Sequence, residues 1–185
     1  MAVKILDNCC STANLDYLKH VAFSSENWNM KYPTGVSIED KFPKLEIIGN
    51  GGLNHHFLAG LAMGLLIQIH EAGGQGLFVP HIQLCGISIK DKHRLENTHI
   101  DEKKEYNFVK ILGLLNSDWK KEWGGGFFHN GTSNYIKPTS FCIFDSSEPH
   151  AAEEIFTDKK RFAIDFTVFQ DQQSLERRMK NKLNA

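Results

Sequence analysis

A histidine and an aspartate, His99 and Asp101, lie two positions apart in the segment NTHID at residues 97–101, shortly after the charged run KDKHR. On an extended strand, residues i and i+2 point to the same face and lie about 6–7 Å apart. From that separation, two ligands with metal bonds of about 2.0–2.2 Å can converge on one ion. The spacing therefore indicates part of a metal site on a strand or a strand end, which needs at least one more ligand.

A candidate third ligand is His150, in the segment FDSSEPHAAEE that begins with the last residue of the apolar run at 141–144. Two histidines and one carboxylate on one face of a metal form the facial triad of non-haem Fe(II) oxygenases, which keeps positions open for other ligands. His99, Asp101 and His150 are therefore the predicted metal ligands.

An arginine, Arg161, opens the apolar run RFAIDFTVF at residues 161–169. A guanidinium group can hold a carboxylate through two parallel hydrogen bonds. Taken alone, Arg161 is as well explained by an arginine at a sheet edge in water, but next to a metal triad the carboxylate clamp is favoured. Strand alternation separates an apolar face from a polar one, the latter made of Arg161, Ala163, Asp165 and Thr167.

Two segments of the N-terminal part predict helices. Residues 53–72 are apolar nearly all round, with Asn54 as a predicted N-cap and Gly73–Gly74 as the end. Gly60 and Gly64 in this segment fit either a membrane-helix dimer motif or close packing in a soluble core, and the short apolar length favours the core. Residues 11–24 predict an amphipathic helix.

Short β-rich runs follow, separated by turn-rich segments, and this pattern predicts a β-sandwich or a β-barrel. They lie at residues 76–84, 108–115, 127–129, 135–136, 141–144 and 161–169. We therefore expect one α+β domain over residues 1–185. Its parts would be a helical part over about 1–77, a β core over about 78–169 and a polar tail over 170–185, either a solvated helix or a frayed end.

Four segments occur together in a known order and spacing: His99-x-Asp101, LLNSDWKKEWGGG (114–126), KPTSFCIFDSSEPH (137–150) and RFAIDFTVF (161–169). Over about residues 80–169 the chain resembles the 2-oxoglutarate/Fe(II)-dependent dioxygenases, and most closely their prolyl 4-hydroxylase-like branch. The resemblance implies a double-stranded β-helix, a jelly-roll or cupin-like barrel with the N-terminal helices packed on it. It also implies a hydroxylase that uses dioxygen. His99, Asp101 and His150 would hold Fe(II), and Arg161 would bind the distal carboxylate of the co-substrate 2-oxoglutarate.

The chain departs from that branch at two places. Ile89 and Lys90 stand where the branch often has a tyrosine that contacts 2-oxoglutarate. Asp165 and Thr167 stand where its last strand usually carries a hydroxyl residue and then a tryptophan. The expected substrate is therefore either peptidyl proline or another amino-acid-type molecule.

The net charge and the cysteine content limit which partners and which cellular location are expected. A formal net charge of −1 provides no large positive field, so neither nucleic acid nor an anionic membrane is an expected partner. The four cysteines are too few for a secreted disulfide scaffold, and MAVKILDNCC lacks the apolar stretch of a signal peptide. We expect a cytoplasmic protein whose partner is a small-molecule or peptide substrate.

Two rival functions remain on the same barrel: a non-redox metal enzyme of the cupin type, and a non-catalytic ligand-binding barrel. Arg161 favours the dioxygenase over both, because neither rival needs a carboxylate clamp on the last strand. Two weaker candidates are His129, which could line the mouth of a cavity, and Cys142, which could act with His150 as in a Cys–His hydrolase. The apolar neighbours of Cys142 favour an inert core residue instead.

Overall fold

The computed structural model describes residues 3–31, 42–49, 52–74, 81–92, 97–101 and 107–183. In these ranges the helices are α1 Thr12–Phe23, α2 His56–Ile69 and α3 Gln172–Leu183, with a π-helical turn at His70–Gly74 and a 3-10 turn at Lys121–Trp123. The strands are β1 Lys4–Leu6, β2 Asn29–Lys31, β3 Phe42–Gly49, β4 Gly52–Leu53, β5 His81–Lys90, β6 Phe108–Leu114, β7 Phe127–His129, β8 Thr132–Asn134, β9 Phe141–Phe144, β10 His150–Ala152 and β11 Arg161–Phe169.

The strands form two antiparallel sheets. The larger sheet has the order β1-β9-β6-β11-β5-β3-β2, with β4 paired to β3, and the smaller sheet has the order β10-β7-β8. Phe127 of the smaller sheet and Phe144 of the larger one join the two, with ring centroids 4.4 Å apart. This arrangement, with helices packed outside it, is the α+β double-stranded β-helix that the sequence predicted.

The predicted helix at residues 11–24 is confirmed as α1. The side chain of Ser11 caps it by accepting a hydrogen bond from the backbone N–H of Asn14, and Leu15 and Leu18 are buried on its inner face. These two leucines belong to the main hydrophobic core between the helices and the larger sheet. The helix is therefore held by its apolar stripe.

The second predicted helix is confirmed as α2, but its predicted N-cap is wrong. The cap position is taken by His55, and the side-chain amide of Asn54 instead donates hydrogen bonds to the backbone oxygen and the carboxylate of Glu46 on β3. At the other end Gly73 has φ 119°, a conformation that glycine adopts at little cost. In the described part of the chain, no helix is long and apolar enough to span a membrane.

Gly60 and Gly64 do not serve the close packing that the sequence suggested. A Cβ atom added to either glycine would meet nothing within 4 Å. Both line a groove next to α1, together with Tyr17 and Gln68. The two glycines thus lie on the open side of α2, while Leu58, Ala62 and other residues of its opposite face are buried in the core.

The strand predictions for the C-terminal part are confirmed at β6, β7, β9 and β11. The run at 76–84 covers only the start of β5, and its first five residues lie outside the described ranges. The predicted strand at 135–136 is wrong, since the strand β8 ends just before these residues, at Asn134. Tyr135 instead donates a hydrogen bond to the backbone oxygen of Trp119, and Ile136 is buried in a small core cluster.

The described N-terminal part contains two helices and four strands. The sequence did not predict these four strands. The longest, β3, pairs with β5 through a bulge between Glu46 and Ile48. Because a bulge inserts an extra residue, both Ile47 and Ile48 reach the core and the alternating pattern is lost. The larger sheet therefore combines strands from the whole length of the described chain.

The polar tail forms a helix, α3. The carboxylate of Asp171 accepts a hydrogen bond from the backbone N–H of Ser174 at 2.6 Å, which caps the first turn. The hydroxyl of Ser174 in turn accepts one from the backbone N–H of Asn107, just before β6. Of the two alternatives for this tail, the helix is the one observed.

Candidate active site

A cavity of about 350 Å³ opens between the two sheets. Phe42, Leu112, Phe127 and Phe144 contribute apolar walls. The charged and imidazole side chains that line it are Lys44, Glu46, Lys90, His99, Asp101, Lys110, His150, Arg161 and Asp165. All four residues that the sequence singled out for metal and carboxylate binding thus face one cavity.

The three predicted metal ligands lie close together. One ligand atom from each of His99, Asp101 and His150 lies within 4.8 Å of the other two. The Nε2 atoms of the two histidines are each 3.5 Å from a carboxylate oxygen of Asp101. This separation allows one metal ion to contact all three side chains.

Backbone pairing brings these distant residues together. His99 and His150 form an isolated antiparallel bridge with hydrogen bonds of 3.0 and 2.9 Å between their main chains. The backbone N–H of Asp101 donates to the backbone oxygen of Ser146 at 2.9 Å. Residues 99–101 therefore lie beside the segment that leads into β10, and the i, i+2 spacing places both side chains on the cavity side, as predicted.

Hydrogen bonds to backbone oxygens fix the orientation of the two imidazole rings. The Nδ1 atom of His99 lies 2.8 Å from the backbone oxygen of Asn97, and that of His150 lies 2.9 Å from the backbone oxygen of Glu148. A carbonyl oxygen only accepts hydrogen bonds, so each Nδ1 carries the proton and each Nε2 keeps a lone pair. Two such nitrogens and one carboxylate are a donor set that fits Fe(II).

Asp101 is held in its ionised form. Burial alone would raise the pKa of Asp101, but the neighbouring imidazoles of His150 and His99 and the nearby ammonium of Lys110 outweigh it and lower the pKa well below its ordinary value. The Nζ atom of Lys110 lies 2.5 Å from one carboxylate oxygen, and the Asp101 side chain is 21% exposed. The carboxylate is therefore negatively charged and available to a cation at neutral pH.

A chain of alternating charges continues across the cavity floor. Lys110 lies 3.8 Å from Asp165 on β11, and Asp165 lies 3.7 Å from Lys44 on β3. Gly86 on the strand between them makes this possible, because a Cβ atom there would lie 2.8 Å from Cε of Lys44. Neither lysine was predicted as part of the site, because Lys110 is a lone lysine in an apolar strand, which ordinarily indicates an exposed position, and the strand that carries Lys44 was not predicted at all.

Arg161 points into the cavity from the start of β11 and is 2% exposed. The predicted alternation of this strand is confirmed, because Arg161, Ala163 and Asp165 line the cavity while Ile164 and Phe166 lie in the main core. The alternative of an arginine at a sheet edge in water is therefore wrong.

Gly125 lies against the aliphatic stem of Arg161. It has φ +67°, and an added Cβ would lie 2.9 Å from Cδ of Arg161. Gly125→Ala should cost about 1–2 kcal/mol for the left-handed backbone and, in addition, displace the guanidinium. Gly131→Ala is the control, since Gly131 has φ +85° but nothing within 4 Å.

Urea denaturation of both variants measures the two losses in the free energy of unfolding. We expect the larger loss in Gly125→Ala. Equal losses would mean that the contact with Arg161 relaxes without consequence.

The two weaker candidates have other roles. Within the described residues, His129 lies outside the cavity lining; it pairs with His150 across β7 and β10, and its Nε2 atom is 3.1 Å from the backbone oxygen of Asp145. Cys142 is fully buried, and burial raises its pKa to about 12. Its thiol therefore stays protonated at neutral pH, as expected of an inert core residue.

No protein-family model matches the chain, and no curated protein sequence matches it.

Solved structures do match it. A 2OG-Fe(II) oxygenase family oxidoreductase from Burkholderia pseudomallei has a TM-score of 0.67 at 14% identity, covering 91% of this chain and 85% of that one. The viral collagen prolyl hydroxylase of Paramecium Bursaria Chlorella virus-1, in complex with 2-oxoglutarate, has a TM-score of 0.65 at 9% identity, covering 93% and 97%. A prolyl hydroxylase from Trichoplax adhaerens, in complex with a peptide fragment of the hypoxia inducible factor oxygen degradation domain, has a TM-score of 0.64 at 16% identity, covering 93% and 85%. The fold of this chain is therefore the one found in 2-oxoglutarate/Fe(II) oxygenases, including prolyl hydroxylases.

Proposed function

We propose that the protein is a 2-oxoglutarate- and Fe(II)-dependent dioxygenase that hydroxylates an unactivated C–H bond. The observation that carries this proposal is the shared cavity, in which the His99, Asp101 and His150 cluster faces the same space as the buried Arg161. Such a cavity could bind a 2-oxo acid at both ends, with a metal ion held by the triad at the 2-oxo end and the buried guanidinium at the distal carboxylate.

His99, Asp101 and His150 would hold the ferrous ion. The ion, when bound, supplies the dioxygen chemistry that protein side chains lack. The chain contributes the orientation of the ligands. Main-chain carbonyls hold the Nδ1 protons of both imidazoles, so that the Nε2 lone pairs would be available to the ion, and Lys110 contacts one oxygen of Asp101.

Arg161 would bind the distal carboxylate of 2-oxoglutarate. Its guanidinium fork matches the two oxygens of a carboxylate, and charge-assisted hydrogen bonds of this kind are stronger than neutral ones. Because Arg161 is buried, water competes poorly for the same donors. The arginine would thereby orient the co-substrate with its 2-oxo end toward the metal ligands.

The substrate proposed is peptidyl proline or another amino-acid-type molecule, free or within a peptide. Two of the three solved structures described above are prolyl hydroxylases, and one of these holds a peptide fragment. The charged floor made by Lys44, Asp165 and Lys110 favours a substrate with polar groups of its own. A cytoplasmic location is also part of the proposal, in keeping with four cysteines that are all free.

The buried arginine also weighs against the two rivals. A non-redox enzyme of the cupin type needs the metal ligands but no carboxylate clamp beside them. A non-catalytic ligand-binding barrel has no need for metal ligands combined with a carboxylate clamp. The placement of Arg161 in the cavity of the metal ligands therefore favours the dioxygenase.

Turnover of the co-substrate tests the proposal. The wild-type protein with Fe(II), dioxygen and 2-oxoglutarate should release succinate, slowly alone and faster when a prolyl peptide or an amino acid is a substrate. Mass spectrometry of the candidate substrates should show a gain of one oxygen atom. If the protein binds Fe(II) but forms no succinate with any of these additions, the proposal is contradicted. The cupin-type enzyme and the ligand-binding barrel would then be favoured.

A further inference from the structure

Lys44 and Asp165 form an ion pair on the cavity floor that leaves hydrogen-bonding capacity unused. The Nζ atom of Lys44 lies 3.7 Å from Oδ1 of Asp165, which is longer than the usual N–H···O distance of about 2.7–3.2 Å. Asp165 is 9% exposed, and within the described residues its buried Oδ2 atom has no hydrogen-bond partner. Both side chains line the cavity. A ligand that accepts a hydrogen bond from Lys44 and donates one to Asp165 would therefore complete the pair.

The pair borders the part of the cavity between β3 and the predicted metal ligands. Lys44 lies on β3, three strands from β6, whose Lys110 contacts Asp101. At a strand spacing of about 4.8 Å, the backbones of β3 and β6 are about 14 Å apart. The stem of Lys44 crosses Gly86 on β5 to reach Asp165 on β11. A molecule bound to the pair would thus lie beside the metal-binding cluster.

The charges around the pair select against ligands of a single sign. Asp165 lies between two ammonium groups, 3.7 Å from that of Lys44 and 3.8 Å from that of Lys110. Lys44 in turn has a second carboxylate, Glu46, two residues further along β3 on the same cavity wall. A simple cation would meet both lysines, and a simple anion would meet both carboxylates, and such like-charge contacts are costly. A group that carries both charges fits this arrangement best.

We propose that Lys44 and Asp165 bind the α-carboxylate and the α-ammonium group of a free amino acid. The inference rests on the proposed function and deepens it, because it selects a free amino acid over a residue within a peptide. The two charges of an amino acid are attached to one carbon. They can therefore lie antiparallel to the ion pair, with the carboxylate accepting from Lys44 and the ammonium donating to Asp165. A residue inside a peptide carries neither charge.

This site is separate from the one proposed for the co-substrate. Arg161 precedes Asp165 by four residues on β11, which corresponds to about 13 Å at the rise of an extended strand. Lys44 approaches from β3, on the far side of β5. The co-substrate and the amino acid could therefore occupy the cavity together.

Succinate release by the Fe(II)-loaded protein with 2-oxoglutarate identifies the amino acid. Each of the twenty L-amino acids is added alone, and a prolyl peptide is added in a parallel series. At least one free amino acid should increase the release of succinate. Its N-acetyl derivative and its amide, which each lack one of the two charges, should increase it much less. Wild-type protein that forms succinate but responds only to the peptide, or to none of these compounds, would overturn this inference and leave the proposed function standing.

Anaerobic calorimetric titration then assigns each charge to its partner. Lys44→Met keeps the length of the side chain and removes its charge, so that the Kd for the free amino acid should rise at least about tenfold, or 1.4 kcal/mol. The ratio of the Kd of the amide to that of the free amino acid should fall toward one in this variant. In Asp165→Asn, which keeps the shape, the corresponding ratio for the N-acetyl derivative should fall instead. The control is Lys92→Met, because Lys92 is exposed and pairs with Asp158 at the surface.

The exchange of ratios is a result that a general loss of structure would not produce. Lys44→Gln should behave as Lys44→Met does and replaces it if the methionine variant does not fold. Folded variants of Lys44 and Asp165 that keep the wild-type ratios would show that the amino acid binds elsewhere, and so would overturn this inference. Wild-type protein that binds Fe(II) but forms no succinate under any of these conditions would instead overturn the proposed function, and this site with it.

Discussion

Replacement of His150 by alanine is expected to lower bound Fe(II) from about one equivalent per chain to near zero and to abolish turnover. His150 supplies one of three ligand atoms that lie within 4.8 Å of one another. Loss of an outer partner of a metal ligand typically costs about 10–100-fold in metal affinity. Loss of a direct ligand should therefore cost more than about 100-fold. Metal analysis after desalting measures this directly.

The matched control for His150→Ala is His129→Ala. Both histidines are buried and directly opposed across β7 and β10, but His129 contacts the backbone oxygen of Asp145 instead of the cluster. Both variants should lose stability, as thermal denaturation would show, whereas only His150→Ala should lose iron. Full iron occupancy in His150→Ala, or iron loss confined to His129→Ala, would place the metal elsewhere.

The candidate site was largely predictable because its parts are local patterns. His99 and Asp101 are two residues apart on one extended segment, and Arg161 opens a strand whose alternation is easily recognised. The lysines of the site were not predictable in this way. Lys110 contacts Asp101 on the segment beside β10, and Lys44 contacts Asp165 across the intervening strand β5. No local pattern records which strands become neighbours.

The errors in the predicted fold have the same origin. The strand β3 is hidden by Pro43, by the charged Lys44 and Glu46, and by a bulge that breaks its alternation. Asn54 is an ordinary N-cap residue by type, yet its amide is engaged by Glu46. In each case a tertiary contact overrides a local preference, and only the folded chain reveals the contact.

Arg161→Ala is expected to raise the Kd for 2-oxoglutarate at least about thirtyfold while iron content stays near that of the wild type. Removing one partner of a buried charge pair typically costs about 2–5 kcal/mol, and each 1.4 kcal/mol corresponds to a factor of ten. Arg161 is almost fully buried and lies outside the cluster of His99, Asp101 and His150, so that the loss should concern the co-substrate and spare the metal. The absorption band of the anaerobic Fe(II) complex gives the Kd.

Two further variants separate the clamp from a general effect of positive charge. Arg161→Lys should recover only part of the affinity, because an ammonium cannot reproduce the planar fork of the guanidinium. Lys160→Ala should keep the wild-type affinity, because Lys160 is exposed and strand alternation turns it to the opposite face. Its hydrogen bond with Asn116 uses the backbone oxygen and survives the change. Unchanged affinity in Arg161→Ala, or a larger loss in Lys160→Ala, would show that the carboxylate is bound by another group.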